Sequence, residues 1–390
     1  MSPPTSLFAT PLVATRQDRE AEERERLAPF AQLSGDSRGR LHPESEHPHR
    51  TAFARDRDRI VHSRAFRRLE YKTQVFVFHE GDHERNRLTH TLEGSQIART
   101  VARGLRLHED LAEAVVLAHD LGHTPFGHAG EKVLNGWMQQ DGGFDHNRQT
   151  MRVVDWLEDR YPSFRGLNLT HETREGLAKH GCEWEHPVAV PELQRSPSLE
   201  AQIADQSDEI AYLNHDLDDG LRSGLLTPGQ LEEVALWAES RGQVEAAYGK
   251  LEAPVLRAQA IVALINRLVT DLLGTSAARL AEHAPATVDD VRKAPRLIGF
   301  SLELEGLKGN LKEFLSVHMY NHPEVVGRSR MADEVIGGLV QAYRADPGRL
   351  PAHVVARFPE EGEARAIADY IAGMTDRFAL AEHEKLLESR

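Results

Sequence analysis

Apolar residues that recur every three or four positions govern this chain from about Arg55 onward. Ile60, Phe66 and Leu69, then Leu88, Leu92, Ile97 and Val101, then Leu111, Val115 and Leu117 each line one face of a helix. A repeat of 3.6 residues produces that spacing, and the two-residue period of a strand does not. Further helices are expected in "NRQTMRVVDWLEDR", "SLEAQIADQSDEIAYLNHDLDDGL", "TPGQLEEVALWAESR", "RAQAIVALINRLVTDLLG", "LKGNLKEFLSVHMY", "DEVIGGLVQAYRA" and "EARAIADYIAGMTDRFAL". Pro228 after Thr227 marks a helix start, because an N-cap hydroxyl precedes a residue with no amide proton to lose. The one stretch that reads as a strand, "TQVFVFH", has no identifiable partner, and no repeat of solenoid period occurs. The expectation is an all-α fold in one compact unit. Residues 1–50 form an arm with one charged helix, "RQDREAEERERLAPFAQ", followed by the turn-rich "SGDSRGRLHPESEHPHR". Residues 51–220 form the core, and residues 221–390 a second helical layer.

A chain of 390 residues with 40% hydrophobic content can bury a large core. It has no stretch of eighteen or so uninterrupted apolar residues, and "MSPPTSLFATPLVATRQDRE" lacks the basic-then-apolar order of a secretory signal, so a cytoplasmic protein with no membrane partner is expected. Cys182, the single cysteine, excludes an intramolecular disulfide and a multi-cysteine zinc site. Any metal must be held by histidines and carboxylates. With 61 acidic against 47 basic residues the formal charge is −14, which disfavours nucleic acid and anionic membranes as partners. A polyanion must be met locally. The local exception is "ARDRDRIVHSRAFRRLEYK", where Arg55, Arg57, Arg59, Arg64, Arg67, Arg68 and Lys72 outnumber Asp56, Asp58 and Glu70. Such a run is either a solvated helix face or a site for an anion or a subunit.

The segment "AHDLGHTPFGHAGE", Ala118 to Glu131, gathers His119, Asp120, His123, His128 and Glu131 just after the apolar run "LAEAVVL". His119 and Asp120 end a helix and are splayed by about 100° around it, so imidazole and carboxylate can share one ion. Two more ligands are needed. The upstream candidate is His90, read as starting a helix after Thr89; downstream, the helix "ADQSDEIAYLNHDLDDG" offers Asp205, Asp208 and Asp216. Taken singly, a histidine or aspartate at a helix end is more often a cap or a satisfied polar group than a ligand. The glycines and proline that follow His119–Asp120 end the helix and let backbone approach a bound molecule.

The series His90, His119–Asp120, Asp208 resembles the metal-binding signature of the HD-domain phosphohydrolases. More narrowly, "RDRDRIVHSRAFRRLEYKTQVF", "NRLTHTLEGSQIAR", "LAHDLGHTPFGHAGE", "GGFDHNRQTMRVV", "SDEIAYLNHDLDDGL" and "ADYIAGMTDRF" are similar, in order, to motifs of the bacterial deoxyguanosine-triphosphate triphosphohydrolase family, from about Leu27 to Leu380. The resemblance implies an HD-domain helical fold with additional C-terminal helices. It also implies hydrolysis of a deoxynucleoside triphosphate to deoxynucleoside and intact triphosphate, by attack of metal-bound water on the α-phosphorus.

Carried over residue by residue, the resemblance makes His90, His119, Asp120 and Asp208 the ligands of one divalent ion. Asp208 is chosen over Asp205 because it lies four residues before Tyr212. Mixed imidazole and carboxylate ligands suit Mn, Fe, Co, Ni or Zn, and Mg where substrate phosphates add oxygen; Mn or Mg is the first expectation. His128 matches the general acid for the departing 5′-oxygen, with Glu131 orienting it and raising its pKa, and His146 matches a further histidine near the scissile bond, beside Asn147. His123 is assigned a supporting place. Arg87, Lys312 and Lys179 match phosphate-contacting positions; Gln74 and Asp216 match residues that touch the sugar, with Tyr212 and Tyr320 walling sugar and base. Family relatives assemble as tetramers or hexamers, often under nucleotide activation, for which the arm and segment 55–72 are candidates. The competing readings are an HD phosphohydrolase acting on nucleoside monophosphates or single-stranded nucleic acid, and a nucleotide-binding regulator.

Overall fold

The computed structural model describes residues 13–74, 85–180 and 195–388. Cys182 lies outside them, as does the expected strand from Val75 to His79; Thr73, at its start, forms an isolated antiparallel bridge with Asn86. Among the described residues the chain is helical, with no extended sheet. In order the helices are α1 (Arg16–Arg26), α2 (Ala52–Val61), α3 (Arg64–Arg68), α4 (Arg87–Gly104), α5 (Glu109–His119), α6 (Gly127–Trp137), α7 (His146–Arg152), α8 (His171–Lys179) and α9 (Leu199–Ser223). They continue with α10 (Ala235–Tyr248), α11 (Ala253–His283), α12 (Val288–Lys293), α13 (Leu302–Leu315), α14 (Pro323–Ala345), α15 (Ala352–Val355), α16 (Phe358–Glu361), α17 (Glu363–Ala372) and α18 (Asp376–Glu388).

Helix α5 is the hub, because eight of its eleven residues are buried and it has almost no polar face to give to water. It packs on α2, α4, α8 and α9, so the polar residues at its C-terminal end are set in the middle of the bundle. Helix α4 starts at Arg87, three residues before the expected start at His90. The reason is its cap: Asn86 accepts the Thr89 amide at 2.9 Å while Thr89 Oγ1 accepts the Asn86 amide at 3.1 Å. At the other expected cap, Thr227–Pro228, only a turn and a short tight helix, Gln230–Glu233, form before α10. There Leu231 and Val234 are buried, and the extended backbone of Val234 divides the two helices.

The arm is sewn to the bundle by carboxylates that accept its backbone amides. Glu200 accepts from Gln32 at 3.0 Å, and Glu172 accepts from Arg38 at 2.8 Å. Leu27 and Ala31 join the main core. Apolar packing divides near residue 320 rather than near residue 220. One core runs from Leu27 to Met319, and a second joins Phe126, Leu134, Met138 and Phe144 to residues of α14, α17 and α18. Helix α11 is long and apolar enough to cross a membrane, yet Ala260, Leu264, Leu268 and Leu272 on it are buried against the chain and Arg267 and Asp271 lie midway along it.

Candidate active site

Four side chains from three helices converge at the C-terminal end of α5. His119 ends the helix, Asp120 caps it, His90 comes from the first turns of α4, and Asp208 from the middle of α9. Asp208 Oδ1 stands 2.9 Å from His90 Nε2 and 3.3 Å from His119 Nε2, and His119 Nε2 lies 3.3 Å from Asp120 Oδ1. His119 Nδ1 donates to the Val116 carbonyl at 2.6 Å, which turns Nε2 toward the carboxylates. Burial alone would raise both aspartates, but His119 and Arg87 hold Asp120, and His119 and His90 hold Asp208, well below the carboxylate range. Burial also pulls on His119, and the two carboxylates outweigh it, lifting the imidazolium to about 10. Two candidate donor sets share His119: the ligand atoms of His90, His119 and Asp120 all lie within 4.8 Å of one another, as do those of His119, His180 and Asp208, and such mixed imidazole–carboxylate donors suit a divalent ion.

Asp205, one turn earlier on α9, faces elsewhere. It holds His180 Nδ1 at 2.5 Å and also pairs with Arg296. His180 is a pocket residue that the sequence motifs do not mark: its ring meets His119 at 5.3 Å between centroids, and its Nε2 lies 3.9 Å from Asp208 Oδ2.

A second polar cluster lies beside the first. Glu131 divides its carboxylate between two histidines, with Oε2 3.0 Å from His128 Nδ1 and Oε1 2.9 Å from both His146 Nδ1 and the His146 amide. Burial opposes its ionisation, but His128 and His146 hold Glu131 far below the ordinary glutamate range. His123 stacks on His146 at 4.0 Å and places Nε2 3.1 Å from Asp120 Oδ1. Burial, with the charges of Arg87 and His146, keeps His123 well below the imidazole range and therefore neutral.

The backbone makes this crowding feasible. A Cβ on Gly122 would sit 2.2 Å from the His146 carbonyl and from the Thr150 amide, so only glycine lets α7 dock on the turn after Asp120. Phe126, at φ 61°, takes a left-handed conformation costly for a bulky residue, and Asp376 of α18 holds its amide at 3.0 Å.

Both clusters line one pocket of about 530 Å³, together with Gln74, Arg87, Tyr212, Asp216 and Tyr320. Arg87 NH1 holds Asp120 Oδ2 at 2.9 Å. Tyr320, carried on a widened turn after α13, donates to Asp216, whose carboxyl burial lifts to about 7. Lys312 and Lys179 are not among the lining residues. Lys312 pairs with Glu209 and stands 5.9 Å from the Tyr212 ring centroid; Lys179 is buried against Glu175 at 2.7 Å. Among the described residues, three buried polar atoms of the pocket lining have no hydrogen-bond partner: Gln74 Oε1, Arg87 Nε and His123 Nδ1. Stranded groups of this kind cost about 1–3 kcal/mol each unless a bound molecule meets them.

Residues 87–213 match the HD domain model, and residues 298–385 match the Phosphohydrolase-associated domain model. The chain is 53% identical over 366 residues to a deoxyguanosinetriphosphate triphosphohydrolase-like protein of Ralstonia pickettii, covering 92% of this chain and 94% of the relative. It is 53% identical over 372 residues to the protein of that name from Bordetella pertussis, covering 93% and 96%. A third, from Geobacter sulfurreducens, is 49% identical over 370 residues, covering 94% and 96%. The first match includes every residue of the ion-binding cluster, and the whole-length identity reaches the C-terminal helices that wall the pocket. The chain therefore belongs to the HD-domain phosphohydrolases, in the family of deoxyguanosinetriphosphate triphosphohydrolase-like proteins.

Proposed function

We propose that this protein hydrolyses deoxynucleoside triphosphates to deoxynucleoside and inorganic triphosphate. The observation that carries the reading is the single pocket in which an imidazole–carboxylate cluster, a carboxylate-held histidine and the unpartnered polar atoms of Gln74, Arg87 and His123 meet. A divalent ion held by His90, His119, Asp120 and Asp208, Mn or Mg before Fe, Co, Ni or Zn, supplies Lewis-acid charge at the α-phosphate and acidifies water.

The chain's own residues do the rest. Breaking the bond between the α-phosphorus and the 5′-oxygen leaves an alkoxide, which needs a proton. Glu131 holds His128 by Nδ1, so Nε2 is the nitrogen that carries that proton to the oxygen. His146, held by the other oxygen of Glu131, and His123, stacked on it, border the same phosphate. Arg87 adds positive charge next to Asp120, with Lys312 and Lys179 as outer contributors once their carboxylate partners release them. Gln74 and Asp216 meet the 3′-hydroxyl, while Tyr212 and Tyr320 close around sugar and base.

An activating nucleotide also has a candidate seat. A separate cavity of about 810 Å³ is lined by Arg64, Arg68 and Lys72 together with Trp156, Tyr370 and Phe378. Lys72 forms the wall between the two sites, donating to the carbonyls of His123 and Ala372. The reading carries with it a cytoplasmic homo-oligomer, tetramer or hexamer, which sedimentation tests directly.

The deciding experiment incubates the protein with each of the four dNTPs and GTP, singly and in pairs, with Mn or Mg, and identifies the products. Deoxynucleoside and triphosphate are expected. Monophosphate and pyrophosphate, or turnover only of monophosphates or single-stranded nucleic acid, would refute the proposal. Nucleotide binding without any hydrolysis would make the protein a regulator.

A further inference from the structure

His215 takes no part in the chemistry above, yet it is a buried imidazole lodged between two residues of another helix. It projects from α9, one residue before Asp216, and reaches α4, where it meets His90 and Glu93 three residues apart. Its Nδ1 lies 3.1 Å from His90 Nδ1, with the rings edge to face at 5.2 Å and 83°. Its Nε2 pairs with the Glu93 carboxylate. Glu93 is steadied in turn by Arg85, 3.4 Å away, and Arg85 is anchored on Asp218 at 2.9 Å and Asp219 at 2.8 Å.

We propose that Glu93 and His215 are positioning residues that lock His90 in the tautomer whose Nε2 lone pair faces the ion. This inference rests on reading His90 as a ligand. The argument is a count of protons. An ionised carboxylate only accepts, so His215 must donate to Glu93 through Nε2–H. A neutral imidazole with its proton on Nε2 has a lone pair on Nδ1. At 3.1 Å that lone pair requires a donor opposite, which is Nδ1–H of His90. With Nδ1–H committed to His215, Nε2 is the atom through which His90 can offer a lone pair to an ion, 2.9 Å from Asp208 Oδ1, the other proposed ligand. With the His90 proton moved to Nε2, two lone pairs would face each other across the Nδ1 contact.

The two histidine ligands are thus set by different devices. His119 is fixed by the carbonyl of Val116 within its own helix. His90 is fixed by a chain that crosses from α4 to α9, the helix that also supplies Asp208. The chain therefore holds the tautomer of one ligand and the spacing of two.

The test is Mn(II) affinity of the chelator-treated full-length protein, measured by titration calorimetry, together with nitrogen NMR of the histidine-labelled, Mg(II)-loaded protein to read the His90 tautomer. His215→Leu is expected to weaken Mn binding by about 10–100-fold and to remove the single-tautomer signature of His90. His215→Asn keeps an acceptor for His90 and is expected to recover part of the affinity. Glu93→Leu retains the ring without its lock and is expected to weaken binding and mix the tautomers, so it carries the test if His215→Leu fails to fold. Unchanged Mn affinity in folded His215→Leu or in Glu93→Leu would overturn the inference. His90→Ala separates the two readings: if it binds Mn normally, His90 is not a ligand and the site assignment fails. If it loses Mn while the His215 and Glu93 variants do not, only the positioning role fails.

Discussion

On the side of the pocket proposed to bind an ion His90, His119 and Asp120 are all buried, and each has a fixed partner. On the side proposed to donate a proton His128 keeps 74% of its side chain exposed and, among the described residues, is held through Glu131. The difference follows from the two tasks. A cluster of like charges persists out of water only when opposite charges and oriented hydrogen bonds stabilise it, so every ligand is immobilised before an ion arrives. A general acid must be reprotonated after each turnover, so it needs water at one edge and a single carboxylate to aim it. The burial of one cluster and the exposure of the other are therefore expected to separate binding from turnover.

The largest effect that could break this comparison is loss of a ligand. Asp208→Ala removes the carboxylate shared by both imidazoles, and metal content by elemental analysis and hydrolysis are both expected to fall to background. Retention of a stoichiometric ion would show that the cluster is not the metal site. On the other side, His128→Ala is expected to keep the ion and lower kcat by about 10²–10⁴-fold, with a smaller change in KM. Should metal content and kcat fall together in His128→Ala, the two sides act as one unit and the division is wrong.

The sugar side adds a pH test. Burial lifts Asp216 to about 7, although Tyr320 donates to it. The folded protein therefore keeps a proton that the unfolded chain gives up near the ordinary carboxylate value. This group's contribution to stability is largest below about pH 4 and is lost as pH rises toward 7, by at most about 1.4 kcal/mol per pH unit. In chelator-treated protein, Asp216→Asn is expected to narrow the difference in melting temperature between pH 5 and pH 7.5. An equal difference in both proteins would mean that Asp216 ionises normally in the fold.

What could be read in advance was what the chain writes locally. His119–Asp120 lie at the end of an apolar helix, and His128 and Glu131 follow across one short loop on the next helix, so nearness in the chain already groups them. The helical class was legible for the same reason, since the apolar period repeats along the chain. Contacts between distant segments were not. His180 and His215 carry nothing in the sequence that sets them apart from ordinary helix histidines, and they matter because α8 and α9 bring them beside His119 and His90. Lys179 and Lys312 are cationic in any reading, but Glu175 and Glu209 engage them in the folded chain, which no count of charges foretells. The sharing of cores is equally hidden: nothing in the helical period near residue 220 or residue 320 says which apolar faces pack together.

Asp205 and Asp208 give the finest version of the comparison, because they occupy the same helix one turn apart and differ only in what they face. Asp208 meets the two imidazoles whose lone pairs point at the ion. Asp205 meets His180 and Arg296, so its charge is already answered by protein groups. Asp205→Ala leaves all four proposed ligands intact and removes the hydrogen bond that orients His180 and the ion pair with Arg296. Mn affinity is therefore expected to stay within about tenfold of the parent, the low end for a group that acts through a neighbour. Any loss of rate should appear in KM for the triphosphate, because His180 borders the pocket without joining His128 and Glu131. If Asp205→Ala instead loses the ion and Asp208→Ala keeps it, the ligand lies one turn earlier on α9 and His180 takes the place given to His90.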